Sequence, residues 1–334
     1  ISLVNQMAKD FEEYGYDQPV HRITAGAEKH TSHNITVSTW QSIHKMPKQF
    51  FDQFDVVIGD EAHLYKAKSL TSILEKLTDC KYRFGFTGTL DGTHTHKLVL
   101  EGLFGSVYNN ISTKELIDKA HLAQFKIKAL ILKYSEATRK LLRQATYKEE
   151  IDFLMSCPER NNFIQQLALS LEGNTLLLFT QVEKHGKILY DLIEKKADKD
   201  RKIFFVYGGT DADTRESVRA ITEKEEDAII VASYGTFSTG INIKRLHNIV
   251  FTSPTKSRIR ALQSIGRGLR KGGATKGEDG KEIAGKEQAT LFDIADDLTW
   301  KARVNYTLKH FIERMKYYTS EKFEYKVYNI NFKG

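Results

Sequence analysis

Val56-Val57-Ile58-Gly59-Asp60-Glu61-Ala62-His63 is an apolar, β-branched run that stops at two adjacent carboxylates. Such a run predicts a strand covered on both faces, as in a parallel sheet, and open parallel sheets place ligands beyond the carboxyl ends of their strands. Asp60 and Glu61 are therefore the first candidate site residues. Phosphoryl transfer needs a carboxylate near Mg²⁺ and a second group that orients the attacking water, and adjacent acids at a strand tip supply both. A bare Asp-Glu pair also reads as a solvated strand end, so the flanking sequence has to choose.

Upstream, Leu3, Val4, Met7, Ala8 and Phe11 share one helical face, and residues 19–24 and 34–38 are short β-rich segments that each predict a strand. Ser38-Thr39-Trp40-Gln41 opens the loop or helix after the second. His30 and His33 are close together, but with no further ligand nearby they read as solvated loop residues rather than a metal site. Downstream, a helix over 69–77 leads to a strand from Tyr82 that ends in Thr87-Gly88-Thr89. That turn either hydrogen-bonds a neighbouring acid or phosphate, or is a tight strand exit.

A helix is predicted over 112–122, a strand over 125–132 and one long charged helix over 136–155, so that 123–157 reads as a crossover between domains. Beyond Pro158 the pattern alternates: helices over 163–171, 184–195 and 214–222, and strands over 174–180, 203–207, 228–232, 248–252 and 289–294. Strands alternating with helices predict an α/β fold with a right-handed doubly wound parallel sheet.

At 334 residues with 40% hydrophobic content, the chain is long enough for two cores. Lysine plus arginine exceed aspartate plus glutamate by 50 to 43, a formal charge of +7 that favours a polyanionic partner without requiring one. Cys80 and Cys157 belong to no CxxC pattern, so neither a disulfide framework nor a zinc site is indicated, and a reducing, cytoplasmic setting is expected. No apolar run approaches the length of a bilayer span.

Three later stretches bear on chemistry. Tyr234-Gly235-Thr236-Phe237-Ser238-Thr239-Gly240-Ile241-Asn242 follows a predicted strand, and its small and hydroxyl residues let backbone approach a phosphate of nucleotide or nucleic acid. Gln263-Ser264-Ile265-Gly266-Arg267-Gly268-Leu269-Arg270 places Gln263, Arg267 and Arg270 on one face if helical, suited to clamping a phosphoryl group or equally to a solvated basic helix. Two glycines within it, each costing about 1 kcal/mol relative to alanine, suggest close approach rather than helix stability. Residues 271–286, rich in glycine and lysine, predict a mobile loop. The tail from Asp297 interleaves Lys301, Arg303, Lys309, Arg314 and Lys316 with Tyr306, Tyr317 and Tyr318, which suits a nucleic-acid strand as well as it suits a docked helix with solvated lysines.

Taken in order, these stretches resemble the motifs of the superfamily-two helicases. ISLVNQ is similar to motif Ia, TVSTWQSI to the nucleic-acid motif after it, DEAH to motif II, TGT to motif III, LLLFTQ to motif IV, SYGTFSTGIN to motif V and QSIGRGLR to motif VI. The resemblance implies two RecA-like domains: the remainder of the first over 1–122, the crossover over 123–157, the second over 158–296 and a C-terminal helical extension over 297–334. It implies an ATP-dependent DNA helicase or translocase that unwinds or branch-migrates junctions, R-loops and forks in recombination, repair and replication. ATP and Mg²⁺ are the implied cofactors, with branched, duplex or single-stranded DNA, and RNA-DNA hybrids, as partners. A catalytically silent nucleic-acid-binding module and an RNA-directed DEAH helicase are the alternatives.

By the same resemblance, Asp60 holds Mg²⁺ through water, Glu61 orients the hydrolytic water and His63 links nucleotide state to the second domain. Arg267 and Arg270 reach the phosphates, supported by Gln263, while Thr87, Gly88 and Thr89 couple hydrolysis to movement. Gly240 and Asn242 contact nucleotide, although many relatives carry Asp at the latter position. Ser38, Thr39, Gln41, Thr180 and Thr239 contact the nucleic-acid backbone. No GxxxxGK[ST] phosphate loop occurs in the 334 residues. The family places it upstream of motif Ia, so truncation is expected, with little or no hydrolysis by this chain alone.

Overall fold

The computed structural model describes residues 2–30, 32–65, 67–88, 94–108, 112–240, 243–255, 257, 264–266, 268–276, 282–283 and 285–332. The chain divides into two compact units, Ile1–Asn109 and Asn110–Gly334.

The first unit contains α1 (Ser2–Glu13), β1 (Val20–Ile23), β2 (Ile35–Ser38), α2 (Trp40–Ile43), α3 (Lys48–Phe51), β3 (Val56–Gly59), α4 (Lys68–Lys76), β4 (Tyr82–Gly85) and α5 (His94–Phe104). Two parallel strand pairs, β1 with β2 and β3 with β4, flank a core in which Ile23, Phe50, Phe51, Leu70, Ile73 and Leu74 are buried together. The expectation that β3 is covered on both faces is not met. Val56 and Ile58 are 47% and 62% exposed, whereas Val57 packs against the core and Gly59 is buried. Successive strand residues point to opposite faces, and one face of the β3–β4 pair is open among the described residues.

The second unit contains α6 (Thr113–Asp118), β5 (Gln124–Lys133), α7 (Glu136–Leu141), α8 (Tyr147–Ser156), α9 (Pro158–Ser170), β6 (Thr175–Phe179), a π-helical turn (Val182–Gly186) running into α10 (Lys187–Lys196), β7 (Ile203–Val206), α11 (Ala212–Thr222), β8 (Ile229–Ser233), α12 (Tyr234–Gly240) and β9 (Asn248–Phe251). It continues with the short strands β10 (Thr275–Lys276) and β11 (Glu282–Ile283), then β12 (Gln288–Asp297), α13 (Tyr306–Ser320) and β13 (Glu324–Asn331). Seven strands form one parallel sheet in the order β13-β5-β12-β9-β6-β8-β7. This is the α/β doubly wound arrangement that the alternation predicts.

β6 is buried along its whole length, which accounts for its unbroken apolar sequence. Leu176 and Leu178 pack into one core with Ile230, Ile249 and Leu291, while Leu177 and Phe179 pack into another with Val231, Val250 and Phe292. Each such side chain removed from water stabilises the unit by about 1.5–3 kcal/mol.

Four further features differ from the sequence expectation. The long helix over 136–155 is two helices, because Thr146 and Glu149 form a capping box that starts α8 afresh. The strand of the expected crossover, β5, lies inside the sheet between β12 and β13. Within the glycine-lysine stretch, β10 and β11 pair antiparallel and Gly272 bridges to Lys286, so its described residues are not all loop. The extension does contain a helix, α13, but then adds β13 beside β5, in register from Glu324 opposite Lys126 to Asn331 opposite Lys133. Arg314 and Tyr318 face away from solvent: both are buried, and both donate to the Asp293 carboxylate at 2.7 Å.

Candidate functional site

The acidic strand end is built by a sharp change of direction. β3 continues its pairing through Phe86, whose N–H donates to Gly59 O at 2.9 Å, and Ala62 N donates back to Phe86 O at 2.8 Å. Between them Glu61 adopts a left-handed backbone with φ 49°, uncommon for a residue with a Cβ. The turn is fixed by Glu61 N donating to Asp60 Oδ1 at 2.8 Å. It folds the Glu61 carboxylate back, so that Oε2 lies 3.2 Å from His63 Nδ1.

His63 is buried, and the same Nδ1 lies 3.0 Å from Thr87 Oγ1 at the exit of β4. Glu61, His63 and Thr87, separated in sequence, are thus one connected group, while the Asp60 carboxylate stays exposed beside them. The close approach depends on glycine in both strands. A Cβ at Gly59 would meet the Tyr65 ring at 2.9 Å, and one at Gly85 would meet Ala62 Cβ at 3.0 Å. Tyr65 is a site neighbour that the sequence did not single out; burial and the nearby Asp60 charge raise its phenol above the ordinary tyrosine value. Its only sequence signal is its place two residues after His63.

Ser38, Thr39 and Gln41 lie together where β2 passes into α2. The Ser38 hydroxyl donates to Ile23 O at 3.1 Å, tying the two strand ends, and Thr39 Oγ1 lies 3.0 Å from Ser42 Oγ. Gln41 projects outward from the first turn.

In the second unit Thr180 follows β6 and is exposed, and its backbone is held from behind. Thr180 N donates to Ser253 Oγ at 3.2 Å, and that oxygen lies 3.1 Å from His185 Nδ1 on the π-helical turn. Burial, with the Arg160 charge adding to it, holds His185 well below the ordinary histidine value, so the ring is neutral. Arg160 is itself fully buried and donates to both oxygens of Asp296, at 2.8 and 3.0 Å, and to Thr252 O at 2.9 Å. None of Ser253, His185, Arg160 or Asp296 stands out in the sequence, because each belongs to a different element and only the sheet gathers them.

α12 begins directly after β8, and Ser233 Oγ accepts from Thr236 N at 3.3 Å at its start. Gly240 ends this helix. Of the arginine stretch, Ile265 and Leu269 are buried in the core, one helical turn apart, with Leu269 N donating to Ile265 O at 3.0 Å, which leaves Arg270 exposed. Gly268 does serve close approach, though to the core: a Cβ there would stand 2.4 Å from Ile249 Cδ1. Its carbonyl accepts from the buried Lys286 Nζ at 2.8 Å. Thr89, Asn242, Gln263 and Arg267 lie outside the described residues, as does the side chain of Thr239.

Comparison with known proteins places the chain in a family. Residues 1–92 match the family described as type III restriction enzyme, res subunit, and residues 159–272 match the helicase conserved C-terminal domain. The chain is 34% identical, over 99% of its own length and 66% of the other's, to the ATP-dependent DNA helicase uvsW of Enterobacteria phage T4. It is 25% identical, over 81% of its length and 67% of the other's, to the DNA 3'-5' translocase XPB2 of Sulfurisphaera tokodaii. Among solved structures, that of T4 UvsW aligns with a TM-score of 0.52 over 98% of this chain and 66% of that one. The fold is also shared, at 12% identity and a TM-score of 0.59, with Saccharomyces cerevisiae Dbp5 bound to RNA and ADP BeF3, covering 98% of this chain and 75% of that one. The chain spans about two thirds of the length of the phage relative.

Proposed function

The chain belongs to the superfamily-two helicases, and from that membership we propose that the protein carrying it is an ATP-dependent DNA helicase or translocase. The observation that carries the assignment is the connection of Glu61 to Thr87 through His63, with distances of 3.2 and 3.0 Å on a single ring nitrogen. A water-orienting carboxylate wired to the exit of the neighbouring strand is what coupling of hydrolysis to movement requires.

On this assignment Glu61 orients the attacking water, and His63 reports the state of that carboxylate to Thr87. Arg267 and Arg270 neutralise charge on the phosphates, and Gln263 supports them; Thr89 and Gly88 belong to the coupling turn, and Gly240 and Asn242 to nucleotide contact. Ser38, Thr39, Gln41, Thr180 and Thr239 grip the nucleic-acid backbone.

The donor set at Asp60 fits a magnesium ion. Mg²⁺ keeps several waters and takes one or two carboxylates together with substrate phosphates, so Asp60 would hold it with water and phosphate oxygens; among the described residues there is no group of three or more metal-ligating side chains. Asp60 is exposed and carries hard oxygen donors. When bound, the ion neutralises phosphate charge and fixes the leaving group's geometry.

The substrates proposed are branched DNA: junctions, forks and R-loops. The test uses the full-length protein, measuring ATP hydrolysis with and without DNA together with strand displacement on a four-way junction and a linear duplex. The expected outcome is DNA-stimulated hydrolysis, preferential action on the junction, and a loss of about a hundredfold or more in rate for Glu61→Gln. Hydrolysis by Glu61→Gln at the parent rate removes the assignment, and stimulation by RNA in preference to DNA reassigns the track.

A further inference from the structure

A second feature at the carboxyl edge of the sheet lies outside every motif. Residues 139–148 and 299–310 contain seven lysines and arginines and no aspartate or glutamate, in a chain whose totals are 50 and 43. They are far apart in sequence but form one surface. Arg303 donates to Arg143 O and, at 2.8 Å, to Ala145 O, and Arg139 Nη1 donates to Thr299 O at 3.4 Å. Glu150, the acid that follows the first segment by two residues, is buried and turned under α13, where its carboxylate accepts from Tyr306 N at 3.0 Å and Thr307 N at 2.7 Å. Glu149 is engaged by Thr146. Glu149 remains an exposed carboxylate at the border of this surface, and within the two segments the outward charge comes from Lys140, Arg143, Lys148, Lys301, Arg303 and Lys309, all exposed.

Aromatic rings sit among these cations. Tyr147 and Tyr306 are 44% and 38% exposed, with centroids 6.0 Å apart and edge to face. Arg303 and Lys309 lie 5.9 and 5.8 Å from the Tyr306 centroid. The ring of Tyr306 thus positions two cations, while Tyr147 retains an exposed surface.

We infer that this surface is a binding site for single-stranded nucleic acid, with phosphates on the cations and a base stacked on Tyr147. Cations that track a backbone, combined with an aromatic face that accepts any base, are the chemistry of sequence-tolerant single-strand sites. Its position extends the proposed track. β5 and β12 deliver the two segments from their carboxyl ends, as β6 delivers Thr180, and β12 and β6 are separated by one strand, β9. At the usual strand spacing, Thr180 and the patch are about 10–15 Å apart across the edge. This extension rests on the assignment of Thr180 to the nucleic-acid grip, whereas the patch itself does not.

The test is fluorescence anisotropy of a labelled twenty-nucleotide oligo-dT with the full-length protein, without nucleotide and across a salt series. Lys140→Glu/Lys148→Glu/Lys309→Glu, with unchanged melting, is expected to lower affinity at least about tenfold and to reduce the salt slope by about 0.7 for each phosphate no longer neutralised. Tyr147→Ala weakens binding while Tyr147→Phe retains it. A folded triple variant with the parent's affinity and slope overturns the inference. If Thr180→Ala binds normally while the triple variant does not, the patch stands and the motif-based grip falls; the reverse result leaves the grip and removes the patch.

Discussion

Lys286 brings an amine into a buried position where Gly268 O is its hydrogen-bond acceptor. Burial lowers its pKa to about 7, against the opposing pull of Glu223 and with the help of Arg270. Unfolded, the same amine titrates at about 10.4, so between these values the unfolded chain binds more protons and stability rises with pH. The expected outcome is a urea midpoint that increases from pH 7 to pH 10 in the parent and a smaller increase in Lys286→Met, read as the difference between the two curves. Gly186 makes a second residue-scale case. Alanine normally favours a helix, but a Cβ here would lie 2.5 Å from the Phe179 ring, which is fully buried. Gly186→Ala is expected to destabilise by about 1–3 kcal/mol, measured by denaturant unfolding, because the core has no room to give. At this scale the candidate site was half legible. Asp60 and Glu61 could be named because adjacent carboxylates end an apolar strand, whereas the roles of His63 and Thr87 followed from the resemblance of DEAH and TGT to family motifs. Ser253 and His185 could not, since their meaning comes from a hydrogen bond to a third segment.

Among elements, the start of α13 is anchored by the buried Glu150 carboxylate, as its later turns are by Asp293. Glu150 accepts from Tyr306 N, Thr307 N, Thr307 Oγ1 and Asn305 Nδ2, which satisfies the donors that a helix start leaves open. Glu150→Ala is expected to cost about 3 kcal/mol in chemical unfolding, as buried donors lose their acceptor, and to weaken oligo-dT binding by releasing Tyr306. The same principle separates elements that sequence could delimit from those it could not. β6 is continuous in its apolar character because both its faces are covered. The break between α7 and α8 was also written locally, in the Thr146-x-x-Glu149 box, but was masked by helix-forming residues on either side. β13 gives no such signal: its residues are exposed on both faces apart from Ile330, and its stability as a strand comes from β5.

For the whole molecule, strand pairing is unevenly distributed. β3 and β4 form a two-stranded pair with apolar residues exposed, while β6 lies at the interior of seven strands. Amides of Val56–Gly59 are therefore expected to exchange with deuterium well before those of Thr175–Phe179, since local opening follows the extent of burial. Equal protection of the two strands would contradict this. The partners of β5 carry a consequence for synthesis. β5 sits between β12 and β13, and both are made after nearly everything else in the second unit. At about 5–20 residues per second, the ribosome needs on the order of ten to thirty seconds to pass from the end of β5 to the start of β12. Throughout that interval the segment Phe125-Lys126-Ile127-Lys128-Ala129-Leu130-Ile131-Leu132 has two unpaired edges. Nascent chains stalled within that window are therefore the ones expected to recruit chaperones, with Lys126 and Lys128 serving as gatekeepers against misassociation until the last strands emerge.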